Sequence, residues 1–101
     1  MRVILFYDLP TVTAVQRSIH ARFRRRLVRS GFIMMQESVY CRLAINQNYV
    51  SAIIREVDGF KPEQGLIQII TVTENQYAKM VYLIGEKTSR VIDTPERIVI
   101  I

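Results

Sequence analysis

Val3-Ile4-Leu5-Phe6-Tyr7, closed by Asp8 and turned by Leu9-Pro10, is the stretch on which the fold depends. Five consecutive apolar or aromatic residues predict a strand from Arg2 to Tyr7 that is covered on both faces, not one alternating between core and water. Asp8 is the only carboxylate in the first 36 residues. An acid at the end of such a strand either caps the turn or binds a cation.

The chain after the turn favours a role beyond capping. Between Asp8 and Glu37 stand Arg17, Arg22, Arg24, Arg25, Arg26 and Arg29, six of the eleven arginines, with no acid among them. Val12, Val15, Ile19, Phe23 and Leu27 recur at helical spacing, so a helix capped by Thr11 or Thr13 is expected to run to about Arg29 and to end at Ser30-Gly31. At about 100° per residue, Arg22, Arg25, Arg26 and Arg29 share an arc beside the apolar stripe, and Arg17 and Arg24 lie on the far side. A helix built only for solubility mixes signs. This one stacks Arg22 over Arg26 and Arg25 over Arg29, like charges four residues apart that repel unless an anion lies between them. Guanidinium forks match phosphate oxygens, so nucleic acid is the first partner to consider, with Asp8 beside it as a candidate metal ligand and catalytic carboxylate.

Outward from this unit the chain alternates strands and helices. Phe32 to Ala44 predicts two strands, with Gln36-Glu37-Ser38 as a sharp bend or bulge between them. Asn46 is placed to cap a second helix with Tyr49, Val50, Ile53, Ile54 and Val57 as its apolar stripe, and Gly59 is expected in a left-handed conformation at its end. Gly65 to Thr73 is rich in β-formers and is expected to lie centrally in the sheet. Thr73 with Gln76 predicts a capping box ahead of a short helix, and Val81 to Ile84 a short edge strand ending at Gly85. Two helices on one face of an antiparallel sheet make an α+β, ferredoxin-like βαββαβ domain over residues 1–85 with extra C-terminal strands. Residues 86–101 form a tail ending Arg97-Ile98-Val99-Ile100-Ile101. An apolar terminal strand needs an edge to pair with, and a homodimer with exchanged C-terminal strands supplies one, the alternative being that Ile98 to Ile101 folds back on its own sheet.

Composition bounds the function. One hundred and one residues, 50% hydrophobic, bury one core and hardly two. Fourteen basic against nine acidic residues give a formal charge of +5 and a pI near 9.8, which suits a polyanion. No apolar run approaches the roughly 20 residues needed to span a bilayer, and Met1-Arg2-Val3-Ile4 lacks signal-peptide architecture, so a cytoplasmic location without membrane contact is expected. Cys41, the single cysteine, is expected as a buried small hydrophobe. Met34 and Met35, adjacent in a strand, point to opposite faces and are expected as core filler, not a soft-metal pair. His20 has no recognisable partner in the sequence and is read as phosphate-facing or solvated before it is read as a general base.

Phe6-Tyr7-Asp8-Leu9-Pro10, Arg17 with the basic helix, Gly31-Phe32-Ile33-Met34, the run from Gln36 through Ser38-Val39-Tyr40, and Thr71-Val72-Thr73 with Gln76-Tyr77 together resemble the CRISPR-associated protein 2 family, in its type II-like form. The resemblance spans nearly the whole chain. It implies a ferredoxin-like homodimer in which the two copies of Asp8 face each other and hold Mg²⁺, weakly, at the interface. It also implies the CRISPR integrase, CRISPR-associated protein 1, as partner in capturing short duplex DNA for spacer acquisition, with the dimer as platform. Members of the family have been described as metal-dependent endonucleases on RNA or duplex DNA, so Asp8 inherits a catalytic assignment that this chain retains or has lost. Ser38 and Gln36 are then candidate support for Asp8, with Ser38 orienting water or phosphate, the alternative being hydrogen bonding within the bulge. Tyr40 stands where many relatives carry phenylalanine. A stand-alone Mg²⁺-dependent endoribonuclease of toxin type is the competing function. An RNA-recognition module is weaker, since the strands lack an exposed aromatic stacking motif.

Overall fold

A computed structural model describes residues 1–86 as four antiparallel strands and three helices. β1 (Arg2–Asp8), β2 (Ile33–Gln36), β3 (Val39–Leu43) and β4 (Leu66–Val72) form one sheet in the order β2-β3-β1-β4. α1 (Ala14–Arg29) links β1 to β2, α2 (Gln47–Phe60) links β3 to β4, and the short α3 (Glu74–Ala78) follows β4. This is the ferredoxin-like βαββαβ arrangement expected from the residues.

β1 takes the central place because it is apolar on both sides: Val3 and Leu5 are fully buried, and Ile4 is nearly so. It pairs with β3 through Leu5 opposite Tyr40 and with β4 through Leu5 opposite Ile69. Val3, Leu5 and Tyr7 point to the helical side, where Phe23 and Leu27 of α1 and Val50, Ile53 and Val57 of α2 complete the core with Phe32 and Tyr40. Strand alternation sends Ile4, Phe6 and Asp8 to the opposite face.

Local signals set the element ends. Thr13 Oγ1 accepts from the Gln16 amide while Gln16 Oε1 accepts from the Thr13 amide, a full capping box. Gly31, with φ of +108°, carries the chain out of α1. Asn46 caps α2 through its side chain, and Thr73 with Gln76 repeats the capping box at α3. Ser38 adopts φ of +65° at the turn between β2 and β3, the expected sharp bend, and a register shift between Met34 and Gln36 places an irregularity just ahead of it.

Several expectations are corrected. β4 lies at an edge among the described residues, not centrally, because the doubly apolar β1 takes the middle and β4 alternates between exposed Leu66, Gln68 and Ile70 and half-buried Ile67 and Ile69. Gly59 is not left-handed: α2 continues to Phe60, whose ring packs on Phe23 at 5.7 Å, and the helix stops at extended Lys61 because Pro62 follows. Val81 to Ile84 forms no strand in the described chain, since β-propensity without a neighbouring strand's hydrogen-bond partners makes no ladder; the four side chains are exposed, Leu83 and Ile84 almost completely. The apolar stripe of α1 is buried only at Phe23 and Leu27, while Val12, Val15 and Ile19 remain exposed. Met34 is exposed at the edge strand β2 and fills no core, whereas Cys41 is fully buried. The C-terminal strand of the tail lies outside the described residues. Among those residues no helix is long and apolar enough to cross a membrane.

Candidate functional site

The end of β1 is gripped from both sides. On the β3 side, the Tyr7 amide donates to the Ser38 carbonyl at 3.1 Å, so the left-handed turn at Ser38 anchors the residue that precedes Asp8. On the β4 side, Asp8 stands opposite Leu66, and Gly65 passes against the β1 backbone with φ of +111°. A Cβ on Gly65 would lie 2.6 Å from Leu9 Cδ2 and 2.9 Å from the Asp8 carbonyl oxygen. Sequence reasoning used Gly65 only to mark the start of a strand; its adjacency to Asp8 is a tertiary fact with no local signature beyond the glycine itself.

Asp8 is exposed, on the face of the sheet away from α1 and α2. Its surroundings on that face are mostly apolar, with exposed Gln68 opposite Phe6: Phe6 is 38% exposed, Leu66 54% and Ile70 51%. Among the described residues no three acidic, histidine or cysteine side chains gather into a metal-binding group. Among the described residues, Asp8 is the carboxylate that β1 carries to this strand end. A hydrated Mg²⁺ needs one or two carboxylates and keeps several waters, so the donor set fits the ion if two copies bring their Asp8 side chains together.

The helical side of the same strand end holds a different cluster. Tyr7 packs edge-on against His20 at 5.4 Å and Phe23 at 5.3 Å, and stacks with Tyr40 at 5.9 Å. Burial, then the neighbouring Tyr40 phenol, pushes the Tyr7 hydroxyl up to about 12, against opposing effects of Arg24 and Ser38. His20 thus packs on Tyr7, across the sheet from the Asp8 side chain, and does not form a base beside the carboxylate. Ser38 acts on the Tyr7 side of the strand, which favours its role within the bulge. Gln36 is exposed at the end of β2 opposite Val39.

All six arginines of α1 are exposed. Arg17 turns back, its Nη1 donating to the carbonyls of Thr11 and Val12 at 3.3 and 2.8 Å, and so clasps the β1–α1 connection. Arg26 lies over the Phe60 ring at 4.9 Å. Arg24, Arg25 and Arg29 share a shallow cleft with Val28, Met34 and Tyr40 on the β2 side of the helix, while Arg22, Arg25, Arg26 and Arg29 line a deeper groove on the α2 side. The arginines therefore form two flanks meeting at Arg25 and Arg29, where the helical arc suggested one.

A second anchor, unread in the sequence, holds α3 to the start of β1. Arg2, 5% exposed, donates from Nε to both Glu74 oxygens at 3.1 and 3.0 Å and from Nη2 to Oε1 at 3.0 Å, and its guanidinium lies 3.8 Å from the Tyr77 ring centre. The Arg2 hydrogen bonds hold the Glu74 carboxyl below the usual range despite partial burial, and Glu74 in turn raises Arg2 against the effect of burial. The Met1 ammonium lies 3.8 Å from the same carboxylate.

The sequence model of the family described as "CRISPR associated protein Cas2" matches residues 1–80. A protein of Treponema denticola named CRISPR-associated endoribonuclease Cas2 is 45% identical over 101 residues, covering all of both chains. A protein of the same name from Streptococcus mutans is 41% identical over 99 residues, covering 98% of this chain and 91% of its own. The crystal structure of Streptococcus pyogenes Cas2 at pH 6.5 superposes with a TM-score of 0.61 over 82% of this chain and 99% of that one, at 20% identity, and so supports the fold alone. With a family match over most of its length and full-length relatives well above 30% identity, this chain belongs to the CRISPR-associated Cas2 family.

Proposed function

We propose that this Cas2 chain is a duplex-DNA-binding subunit of the CRISPR adaptation machinery, acting as a homodimeric scaffold for the integrase, CRISPR-associated protein 1, during spacer acquisition. The observation that carries the reading is α1: six exposed arginines and no acid over sixteen residues. Such a surface binds phosphate backbones through charge and forked hydrogen bonds without reading bases, which suits capture of DNA of any sequence. Arg24, Arg25 and Arg29 are the strongest phosphate ligands in this reading, with Arg17, Arg22 and Arg26 extending the positive field.

The dimer is supported by the sheet face that carries Asp8. Phe6, Leu66 and Ile70 leave apolar surface in water there, and a second copy placed face to face would cover it. The same pairing would bring two Asp8 carboxylates together as a weak Mg²⁺ site, where the ion would neutralise phosphate charge and polarise water. Deletion of residues 94–101, followed by mass measurement in solution, tests whether the tail contributes to this dimer: an unchanged dimer removes the exchange.

Metal-dependent endonuclease activity, on RNA in a stand-alone role, is the second reading, favoured by the exposed strand-end Asp8 and by the endoribonuclease names of the relatives. One titration separates the two. Purified protein, with and without the integrase, is titrated against a short labelled duplex in Mg²⁺ across a salt series, scoring binding and product length. Salt-steep binding without cleavage, tightened by the integrase and retained in Asp8→Asn, is the expected result. Cleavage that vanishes in Asp8→Asn would make the chain an enzyme instead.

A further inference from the structure

A groove of about 760 Å³ runs between α1 and the segment from Phe60 to Gln64, with Leu9 and Pro10 also in its wall. Its lining combines two chemistries. Val15 and Ile19 lie along it 68% and 37% exposed, although their spacing with Phe23 and Leu27 is that of core residues. Around them stand Arg22, Arg25, Arg26, Arg29 and Lys61, five cations against one carboxylate, Glu63.

Duplex DNA matches the cations but has no use for the aliphatic floor, since the phosphates it would present have nothing to lay on Val15 and Ile19. A single strand would seek a free aromatic face for its bases. The aromatic ring available here, Phe60, already has Arg26 over it at 4.9 Å and Phe23 against it at 5.7 Å. An occupant matching both floor and rim carries aliphatic and acidic side chains together. From Val15 to Arg29, α1 presents about 21 Å of groove wall at 1.5 Å per residue, the length of an amphipathic helix of four turns.

We propose that the groove between α1 and residues 60–64 docks an amphipathic, acidic segment of a protein partner, its aliphatic side chains on Val15 and Ile19 and its carboxylates paired with Arg22, Arg26 and Lys61. This goes beyond the duplex reading, which places phosphates chiefly on Arg24, Arg25 and Arg29; Arg25 and Arg29 border both surfaces, and the peptide is assigned to the far wall, at Arg22, Arg26 and Lys61.

The test uses the full-length protein and a fluorescein-labelled helical peptide of glutamate and leucine at amphipathic spacing, read by anisotropy. Matched peptides carry lysine for glutamate or serine for leucine, and labelled duplex and single-stranded oligonucleotides run in parallel. The glutamate–leucine peptide binds, and Ile19→Ser weakens it about tenfold, the loss from returning one aliphatic contact to water, while leaving duplex affinity within about twofold. Arg22→Ala with Arg26→Ala weakens the peptide and flattens its salt dependence. Ile19 is exposed, so Ile19→Ser retains the fold, which circular dichroism verifies. The proposal is overturned if the glutamate–leucine peptide does not bind, if the serine or lysine peptide binds equally, or if Ile19→Ser leaves peptide affinity unchanged. Single-strand binding lost in Ile19→Ser with no peptide binding would assign the groove to nucleic acid. Arg24 lies outside the groove, so peptide affinity unchanged in Arg24→Ala is the expected result, and peptide binding lost with it would overturn the assignment of the groove.

Discussion

Gly65 and Leu9, 56 positions apart in the sequence, approach so closely that a single methyl group on Gly65 would stand 2.6 Å from Leu9 Cδ2. That approach lets β4 begin directly beside Asp8. Gly65→Ala is expected to destabilise the fold by about 2 kcal/mol, from steric conflict with Leu9 and the Asp8 carbonyl together with a backbone at φ of +111°. Gly59→Ala, in open space at a helical position, is expected to stabilise by about 0.5–1 kcal/mol. Urea unfolding of the two variants distinguishes a glycine required by contact from one that is not.

Replacing Glu74 with glutamine removes the carboxylate that pairs with the buried Arg2. Unfolding at pH 7 is expected to show a loss of about 2 kcal/mol, as for other charged hydrogen bonds. Because the folded Glu74 carboxyl lies below its ordinary 4.5, its contribution is present above that value and fades as pH falls through the depressed one. Wild type and Glu74→Gln should therefore converge in stability in acid; a gap that persists there would contradict the ion-pair account.

Tyr7 makes the opposite case. Its phenol is held neutral to about 12 in the folded chain against about 10 unfolded, so the folded state retains the proton longer. The contribution is present below pH 10 and lost as pH rises through 12. Tyr7→Phe is expected to flatten that alkaline decline relative to wild type while costing about 1 kcal/mol at neutral pH through the lost hydroxyl.

Duplex binding should carry a measurable salt slope. Each phosphate contact removed lowers the slope by about one, so Arg24→Ala, Arg25→Ala and Arg29→Ala in combination should lower it by about three. Equal slopes for the triple variant and wild type would remove these residues from the DNA surface.

Asp8→Asn touches an exposed side chain and should leave monomer stability within about 0.5 kcal/mol. Its effect should appear in Mg²⁺ affinity of the dimer, measured by calorimetry, and in any cleavage the dimer performs. Duplex affinity without metal should stay the same or rise slightly as negative charge is lost.

Much of this molecule was legible from the residues. The cap at Thr13, one of two candidates with Thr11 in the sequence, the capping box at Thr73, the Asn46 cap, the sharp bend at Glu37 and Ser38 and the buried strand ending at Asp8 all rest on interactions spanning a few residues, so composition and spacing determine them. Charge sign along α1 is equally local, and the arginine surface followed directly. What tertiary structure alone decided concerns partners distant in sequence: β4 at the sheet edge among the described residues, Gly65 against Leu9, Arg2 locked to Glu74, His20 on Tyr7 across the sheet from Asp8. Helical periodicity could mark Val15 and Ile19 as apolar, but burial depends on what the rest of the chain brings over them. The end of α2 reaches Phe23 through Phe60 and leaves Val15 and Ile19 in water, because long-range packing, unlike capping or periodicity, is determined by all the contacts of the fold at once.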